Sequence, residues 1–573
     1  MKKNLAMVWR LIRPYWFSKD RWVALGLLTV LLLMLGVGVK FQAWQADFIK
    51  DLYNAIDKRD AAEFRSLSLI SIGVLMGYAV LVAAREYTNQ FLEIRWRQSL
   101  TEYFLQRWFK DQKFFHLERD QSTDNPDQRI SEDVKLFVHD TLRLSFAFLS
   151  NLGTLLVFGP LLWSLAGPYT VAVSRDLSLT IPGYLFWVAI GYALLQTWLS
   201  HFAGHKLISL TVQQQKAEAD FRNTMVQQRE YAEQIAFYDA GAVEYSRLQR
   251  LFVQLRLNFR QIMGKTKYLN FVSNGTLIIQ SLIPIFAVSP KLFTGEMNLG
   301  AVLQSQAAFL MFCMAVGWFG LFYAQIVAWV AVTRRLLVLN AALDASSKPG
   351  VEIHTEPVRD LNGRSLRLTL PDAKPLVTLD HFEFAKGERW LVRGPSGAGK
   401  STFLRSIAGL WPFGDGRISI PAGAKLQFMP QKCYVPTGTL KDALAYPGPA
   451  EQYSDVECRK ALDDCLLGHL APRLHEASRW GQQLSPGEQQ RVAFARVLLS
   501  APDYLFADEA TSALDISTES HLMKLLLERL PRLTLISVAH RSTLNVFHTH
   551  EVVFNGHGGV TQNPIAVPTP SHA

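Results

Sequence analysis

The chain carries two different hydrophobic patterns. Through about residue 340 it holds long apolar runs rich in Leu, Val, Phe and Trp, at about Trp22 to Phe41, Leu67 to Ala84, Phe146 to Ala166, Tyr184 to Phe202, Asn274 to Val288 and Val302 to Val332. About 20 helical residues cross the hydrocarbon of a bilayer, so these runs predict six membrane-spanning helices. The fifth is short and crowded by Pro284 and Pro290, a weakness that neighbouring helices can repair by satisfying the freed backbone groups. The remainder of the chain reads as an ordinary soluble α/β domain.

Hydrophilic segments follow the second run (Arg85 to Leu144) and the fourth (His205 to Tyr268), too helical in pattern to be loose loops. They predict extensions of the membrane helices into the cytosol. In the first, Asp124-Asn125-Pro126-Asp127-Gln128-Arg129 joins an Asn-Pro turn signal to a charged amphipathic stretch, the form of a short coupling helix against the soluble domain. The second holds Glu218-Ala-Asp220-Phe221-Arg222 and Gln227-Gln-Arg229-Glu230-Tyr231-Ala-Glu233. A plain solvated helix surface is the alternative for both. Glu230 and Glu233, three residues apart on a helix, are also candidates for binding protons or cargo.

Length and charge sharpen this picture. A chain of 573 residues exceeds one compact core. Its net charge of +10 sits largely beside the apolar runs, which fits retention of cytoplasmic loops at a lipid bilayer rather than a nucleic-acid partner. The N-terminus (Lys2, Lys3, Arg10, Arg13, Lys19, Arg21) is basic like a signal peptide, but the run it precedes is long enough to span and no small-residue cleavage site follows. Cys313, Cys433, Cys458 and Cys465 have neither zinc-site spacing nor the density of a disulfide scaffold, and are read as reduced thiols.

After a linker around Ala345 to Pro357, the strand-like Arg389-Trp-Leu-Val-Arg393 runs into Gly394-Pro395-Ser396-Gly397-Ala398-Gly399-Lys400-Ser401-Thr402 and an apolar helix. This is a phosphate-binding loop in its required context. The glycines let backbone N–H groups converge on phosphates at a helix N-terminus, Lys400 brings a mobile cation, and the Ser401 hydroxyl completes a Mg²⁺ shell. Further on, Tyr504-Leu-Phe-Ala-Asp508-Glu509 is an apolar strand ending in two acids. Successive strand residues point opposite ways, so Asp508 can serve the metal and Glu509 can act as general base on a water. ATP and Mg²⁺ are the expected cofactors. An even number of spans with an ATP-facing soluble half places both termini in the cytoplasm.

Between these motifs lies Leu484-Ser485-Pro486-Gly487-Glu488-Gln489-Gln490-Arg491, which resembles the signature motif of ATP-binding-cassette (ABC) proteins, with Pro486 and Glu488 where the family has glycine and glutamine. Gln431 in Met429-Pro-Gln-Lys resembles the Q-loop, Ser512-Ala-Leu-Asp515 the D-loop and His540 in Val538-Ala-His-Arg the switch histidine. The resemblance implies catalytic roles for Glu509, His540 and Gln431, a Mg²⁺ shell of Ser401, Gln431 and Asp508, and nucleotide contacts from the phosphate loop and from Ser485, Gly487, Glu488 and Asp515. One departure is Leu370, where exporters of the family stack adenine on an aromatic ring. The signature motif completes the site of an opposing ATPase domain, so a second copy of the chain is implied, as a homodimer.

Asp124 to Arg129, Glu218 to Arg222, Gly409-Leu-Trp-Pro412, Pro430-Gln431 with Gly438-Thr439-Leu440, Tyr446-Pro447 and Trp480 resemble the BacA/SbmA-related ABC half-transporters over almost the whole chain. That implies a multi-domain membrane protein of the bacterial inner membrane. Its expected fold is a six-helix all-α transmembrane domain (type IV, exporter-like) over 1–344, a linker 345–362, an α/β P-loop ABC ATPase domain 363–560 and a flexible tail 561–573. The implied activity is ATP-driven uptake of bulky hydrophilic or peptide cargo, such as antimicrobial peptides, bleomycin or cobalamin. Peroxisomal acyl-CoA half-transporters share the Gly-Leu-Trp-Pro feature, so acyl compounds are an alternative cargo. These motifs do not state direction. An ATP-gated channel or receptor and a cassette ATPase acting on nucleic acid are the rivals from other classes, the six runs arguing against the latter.

Overall fold

The computed structural model describes residues 2–120, 123–174, 177–345 and 350–565. Its contacts divide the chain into two compact units, one of Met1–Lys113 with Gln121–Asp344, the other of Phe114–Asp120 with Ala345–Ala573.

Among the described residues the first unit is helical apart from loops and an antiparallel pair of strands, Pro168–Ser174 and Leu177–Pro182. Among the described residues six helices are long and apolar enough to cross a membrane: Arg21–Asp57, Ala61–Asp120, Pro126–Leu165, Gly241–Phe293, Leu299–Val316 and Phe322–Asp344. They are not the six runs read from sequence. Tyr184 to Phe202 is not among them, although it opens the 47-residue helix Tyr184–Glu230, because Trp, Tyr, Gly, Gln and His dilute its apolar stretch. The run Val302 to Val332 is instead two helices parted at Gly317.

Several helices far exceed the bilayer. At 1.5 Å per residue, Tyr184–Glu230 is about 70 Å long against about 30 Å of hydrocarbon. It lies antiparallel to the 53-residue helix Gly241–Phe293. Gln228 Nε2 donates to Glu244 (2.7 Å), Asn258 Nδ2 donates to Gln214 (2.9 Å), and the Tyr192 hydroxyl donates to the Thr276 carbonyl. Pro284 and Pro290 sit inside the second of these helices without ending it. Gln306 of the next helix donates to the Ser281 carbonyl (2.9 Å), in the turn that Pro284 disturbs. Small residues let helices approach: a Cβ on Gly153 would stand 3.0 Å from Val39, and one on Gly300 would strike the Lys50 carbonyl and Asn54.

Asp124 to Arg129 forms a turn entering a helix at Pro126, and inside the first unit Arg129 donates to the Arg335 carbonyl (3.1 Å) while Arg335 pairs with Asp133 (2.5 Å). The segment that joins the second unit is Phe114–Asp120, past a break at Asp111 (φ +53). Its Leu117 is buried, and the Arg119 guanidinium donates to the Leu410 carbonyl (3.2 Å) and lies 5.0 Å over the Phe413 ring. Finally, Glu230 ends its helix and Tyr231 leaves helical geometry (φ −106°), so Glu230 and Glu233 do not share one continuous helix, and both are exposed.

The second unit is built on a six-stranded sheet in the order Val560–Pro564, His550–Phe554, Arg389–Arg393, Thr534–Val538, Tyr504–Asp508, Leu426–Met429. All neighbours but the first pair are parallel, and the central strands are largely apolar, as in Trp390-Leu-Val392, Tyr504-Leu-Phe-Ala507 and Leu535-Ile536, because both faces are covered. A four-stranded sheet of Glu352–Glu356, Gly414–Pro421, Leu361–Thr369 and Pro375–Phe384 packs on it around Phe382, Phe384, Trp390 and Phe403. The expected linker thus contains a strand, Glu352–Glu356, and the expected tail begins in another, Val560–Pro564. Residues 346–349 of that linker and 566–573 of that tail lie outside the described residues. The four cysteines are unpaired and buried.

Candidate active site

Strand Arg389–Arg393 lies between two parallel neighbours, so the loop that leaves it opens at the edge of the sheet where parallel strands place their sites. Gly394 (φ +144), Gly397 (φ +80) and Gly399 (φ +94) hold conformations that side chains resist. A Cβ on Gly399 would also stand 2.5 Å from Val377 Cγ2. Pro395, Ser396 and Gly397 form the exposed crest, Ala398 is buried, and helix Lys400–Ile407 starts at Gly399 with no side-chain cap. The first backbone N–H groups of that helix, from Lys400, Ser401 and Thr402, are therefore left to an anion. Lys400 is 7 % exposed and its Nζ donates to the carbonyls of Gly394 (2.7 Å) and Pro395 (2.9 Å). Burial pushes its pKa down, against the charges of Glu509 and Asp508.

Three adjacent parallel strands, Leu426–Met429, Tyr504–Asp508 and Thr534–Val538, end side by side. Residues far apart in sequence meet there. The Glu509 carboxylate accepts from Gln431 Nε2 through Oε2 (2.8 Å), and its Oε1 lies 3.3 Å from His540 Nε2. Glu509 has φ +49, a left-handed conformation costing about 1–2 kcal/mol in a side-chain-bearing residue, and its N–H is held by the Val538 carbonyl (3.0 Å). Asp508 closes its strand opposite Val538.

A second group of predicted residues lies elsewhere in the unit. Ser485 caps helix Pro486–Ser500: its hydroxyl accepts the Glu488 N–H (3.3 Å), while Glu488 Oε2 accepts the Ser485 N–H (2.9 Å) and hydroxyl (2.8 Å). Gly487 approaches the D-loop so closely that a Cβ would stand 3.1 Å from the Ala513 carbonyl. Gln490 bridges the same two segments, accepting from Ala513 N–H (3.0 Å) and donating to Ser512 (3.2 Å). Asp515 caps helix Ile516–Arg529, accepting from the Ser517 hydroxyl and the Thr518 N–H (3.0 Å), which holds its carboxyl far below the usual range. Among the described residues, no hydrogen bond ties Ser485 or Glu488 to the phosphate loop.

Sequence reasoning missed two contributors. Arg496, in the signature helix and 9 % exposed, donates to the carbonyls of Ala443 (2.6 Å) and Tyr434 (2.8 Å), tying the segment after Gln431 to that helix. His469 Nε2 lies 3.2 Å from Glu488 Oε1. An arginine inside an apolar helix face signals the first, whereas nothing local signals the second.

The donor set fits a nucleoside polyphosphate with a hard cation. The loop offers N–H groups and an ammonium to phosphates, and Ser401, Gln431 and Asp508 offer oxygens of the kind Mg²⁺ takes, with no thiolate or imidazole among them. Leu370 lies in a turn with Lys374, half-exposed, and brings only aliphatic contact to a base. Fold and site together define a membrane protein with a P-loop ATPase.

Comparison with known proteins narrows that class. Residues 10–293 match the family model "ABC transporter transmembrane region 2" and residues 378–512 match "ABC transporter". The chain is 32 % identical to "Inner membrane ABC transporter ATP-binding protein YddA" of Escherichia coli K12, covering 93 % of this chain and 94 % of that one. It is 28 % identical to "Lysosomal cobalamin transporter ABCD4" of Mus musculus, over 97 % of this chain and 96 % of the relative. The fold matches "Structure of a bacterial Atm1-family ABC exporter with ATP bound" with a TM-score of 0.72 at 19 % identity, covering 95 % of each chain. The chain belongs to the ABC transporter family, with an exporter-type helical domain and an ABC ATPase domain.

Proposed function

We propose that two copies of this chain form an ATP-driven transporter of the bacterial inner membrane that takes up bulky hydrophilic or peptide cargo, of the antimicrobial-peptide, bleomycin or cobalamin kind that BacA/SbmA-related proteins carry. The observation that carries the ATPase part is the Glu509 carboxylate held between Gln431 and His540 at the edge where the phosphate loop opens. In this reading residues 1–344 are the membrane domain, with the ATPase domain at 363–560 and both termini in the cytoplasm. The name of the cobalamin-transporting relative supports the cargo class.

ATP supplies the phosphoanhydride bond whose cleavage drives transport, and a bound Mg²⁺ would supply positive charge to its phosphates. Gly394 to Thr402 hold the phosphates, and Lys400 leaves the loop carbonyls to reach them. Ser401, Asp508 and Gln431 would hold the cation. Glu509 takes a proton onto its carboxylate from the attacking water, while His540 orients that carboxylate through Oε1. Ser485, Gly487, Glu488 and Asp515 face the nucleotide of the second copy, so hydrolysis requires two chains. Conformational work then rests on the unequal affinity of two states for nucleotide.

The test is accumulation of a labelled antimicrobial peptide in right-side-out and inside-out vesicles, with Glu509→Gln as control. Uptake only in right-side-out vesicles with ATP trapped inside, lost in the variant, is the expected result. Accumulation only in inside-out vesicles makes the protein an exporter, and flux that ignores Glu509 makes it a channel.

A further inference from the structure

Glu488 brings a negative charge to the N-terminus of the signature helix, a place where backbone N–H groups and the helix dipole favour anions. The first anion they meet is this one. Glu488 Oε2 takes the Ser485 N–H (2.9 Å) and the only proton of the Ser485 hydroxyl (2.8 Å). A hydroxyl that donates to a carboxylate cannot donate to a phosphate oxygen as well. The carboxylate's other oxygen, Oε1, is held from a different element by His469 Nε2 at 3.2 Å, out of the Gly468–Arg473 turn. Arg491, one turn further along the same helix, acts on Glu488 by charge, but its guanidinium donates to the Leu466 carbonyl (3.1 Å). Besides the capping Ser485, His469 is therefore the one side chain that hydrogen-bonds the acid among the described residues. The Ser485 backbone bond leads the causes that hold the Glu488 carboxyl below its ordinary range, so it is charged at neutral pH.

We propose that Glu488 is a built-in competitor for phosphate at Ser485, and that His469 is the positioning residue that sets the strength of the competition by holding the carboxylate through Oε1 when Ser485 is released. The inference rests on the reading of Ser485 and Gly487 as part of a shared ATP site. Glutamine at 488 keeps the geometry of a capping box and removes the charge. Loss of His469 leaves the charge with no alternative holder, so the acid stays on Ser485.

The experiment measures ATP affinity of the full chain in detergent by displacement of a fluorescent ATP analogue, in a Glu509→Gln background where nucleotide is not consumed. Glu488→Gln is expected to tighten ATP about threefold to fivefold, the scale of one partly exposed charge contact. His469→Gln is expected to weaken it by a similar factor, both effects shrinking at 1 M salt. In the Glu488→Gln background, His469→Gln is expected to change affinity less than twofold. An equal loss from His469→Gln in both backgrounds marks a merely structural histidine and overturns the proposal, as does unchanged or weaker binding in Glu488→Gln. If His469→Gln does not fold, Glu488→Gln alone decides in the same way. Absence of saturable ATP binding in every chain, including the one altered only at Glu509, defeats the ATP-site reading itself and is told apart by that pattern.

Discussion

The two units spend their large apolar side chains in opposite ways. In the ATPase unit Phe382, Phe384, Phe403 and Phe506 are each no more than 1 % exposed, around two sheets. In the membrane unit Leu33, Leu69, Val80 and Phe286 are each about two-thirds exposed on long helices. Water drives the first arrangement, whereas lipid is as apolar as leucine and gives the second no reason to hide it. A large apolar residue in the membrane unit can therefore face either a packed interior, as the fully buried Phe158, Leu162 and Phe309 do, or the lipid. Small and polar residues mark packed surfaces there as well, because neither gains by facing lipid. Gly300 lies under Asn54, whose side chain accepts its N–H (3.2 Å), Gln304 donates to Asp47 (2.6 Å), and Gln306 donates to Ser281.

The largest effect expected on either side is chemical. Glu509→Gln should slow phosphate release from reconstituted protein by about 10²- to 10⁴-fold while leaving ATP binding in place. A loss of less than tenfold would remove Glu509 as the base and with it the functional contrast between the units.

Next comes a pH effect confined to the ATPase unit. His548 is buried, its Nδ1 donates to the Leu544 carbonyl (2.7 Å), and its Nε2 has no partner among the described residues. Burial pushes its pKa from the usual 6.5 down to about 4. Between those values the unfolded chain binds a proton that the folded chain refuses, so stability falls as pH drops through this window. The full loss is about 3 kcal/mol. Denaturant titration of the ATPase transition from pH 7.5 to 4.5 should show the decline, and His548→Gln should flatten it.

The membrane unit should instead be sensitive at its small residues. Gly300→Val forces a side chain into the Lys50 carbonyl and should cost about 1–3 kcal/mol, read as a lower melting temperature in detergent. Gly73→Ala, which meets nothing within 4 Å, is the matched control. If both variants melt alike, close helix approach is not what organises this unit. The smallest effect belongs to a helix cap: Ser454 accepts the Glu457 N–H at 3.3 Å, and Ser454→Ala should cost about 1 kcal/mol in the same denaturant assay.

Much of the site was legible because phosphate chemistry asks for contiguous residues. Gly394 to Thr402 must form one loop, and Asp508 and Glu509 must end one strand. Gln431 and His540 were found only through their order relative to these motifs. That they close on the two oxygens of Glu509 follows from three strands ending together, a register written in no single stretch. The turn at Asn125-Pro126 was legible too, because an Asn-Pro pair marks a turn locally.

Local order thus came from the chain alone: apolar runs long enough to span a bilayer, a soluble α/β half, and a loop whose glycines admit phosphate. Pairings across long separations came from packing. Arg119 finds Leu410, Arg496 finds Tyr434, and His469 finds Glu488 only after strands and helices have set their distances. The physical reason is that backbone preference and hydrophobic period act over a few residues, whereas a hydrogen bond between distant side chains exists only once the fold has brought them within about 3 Å.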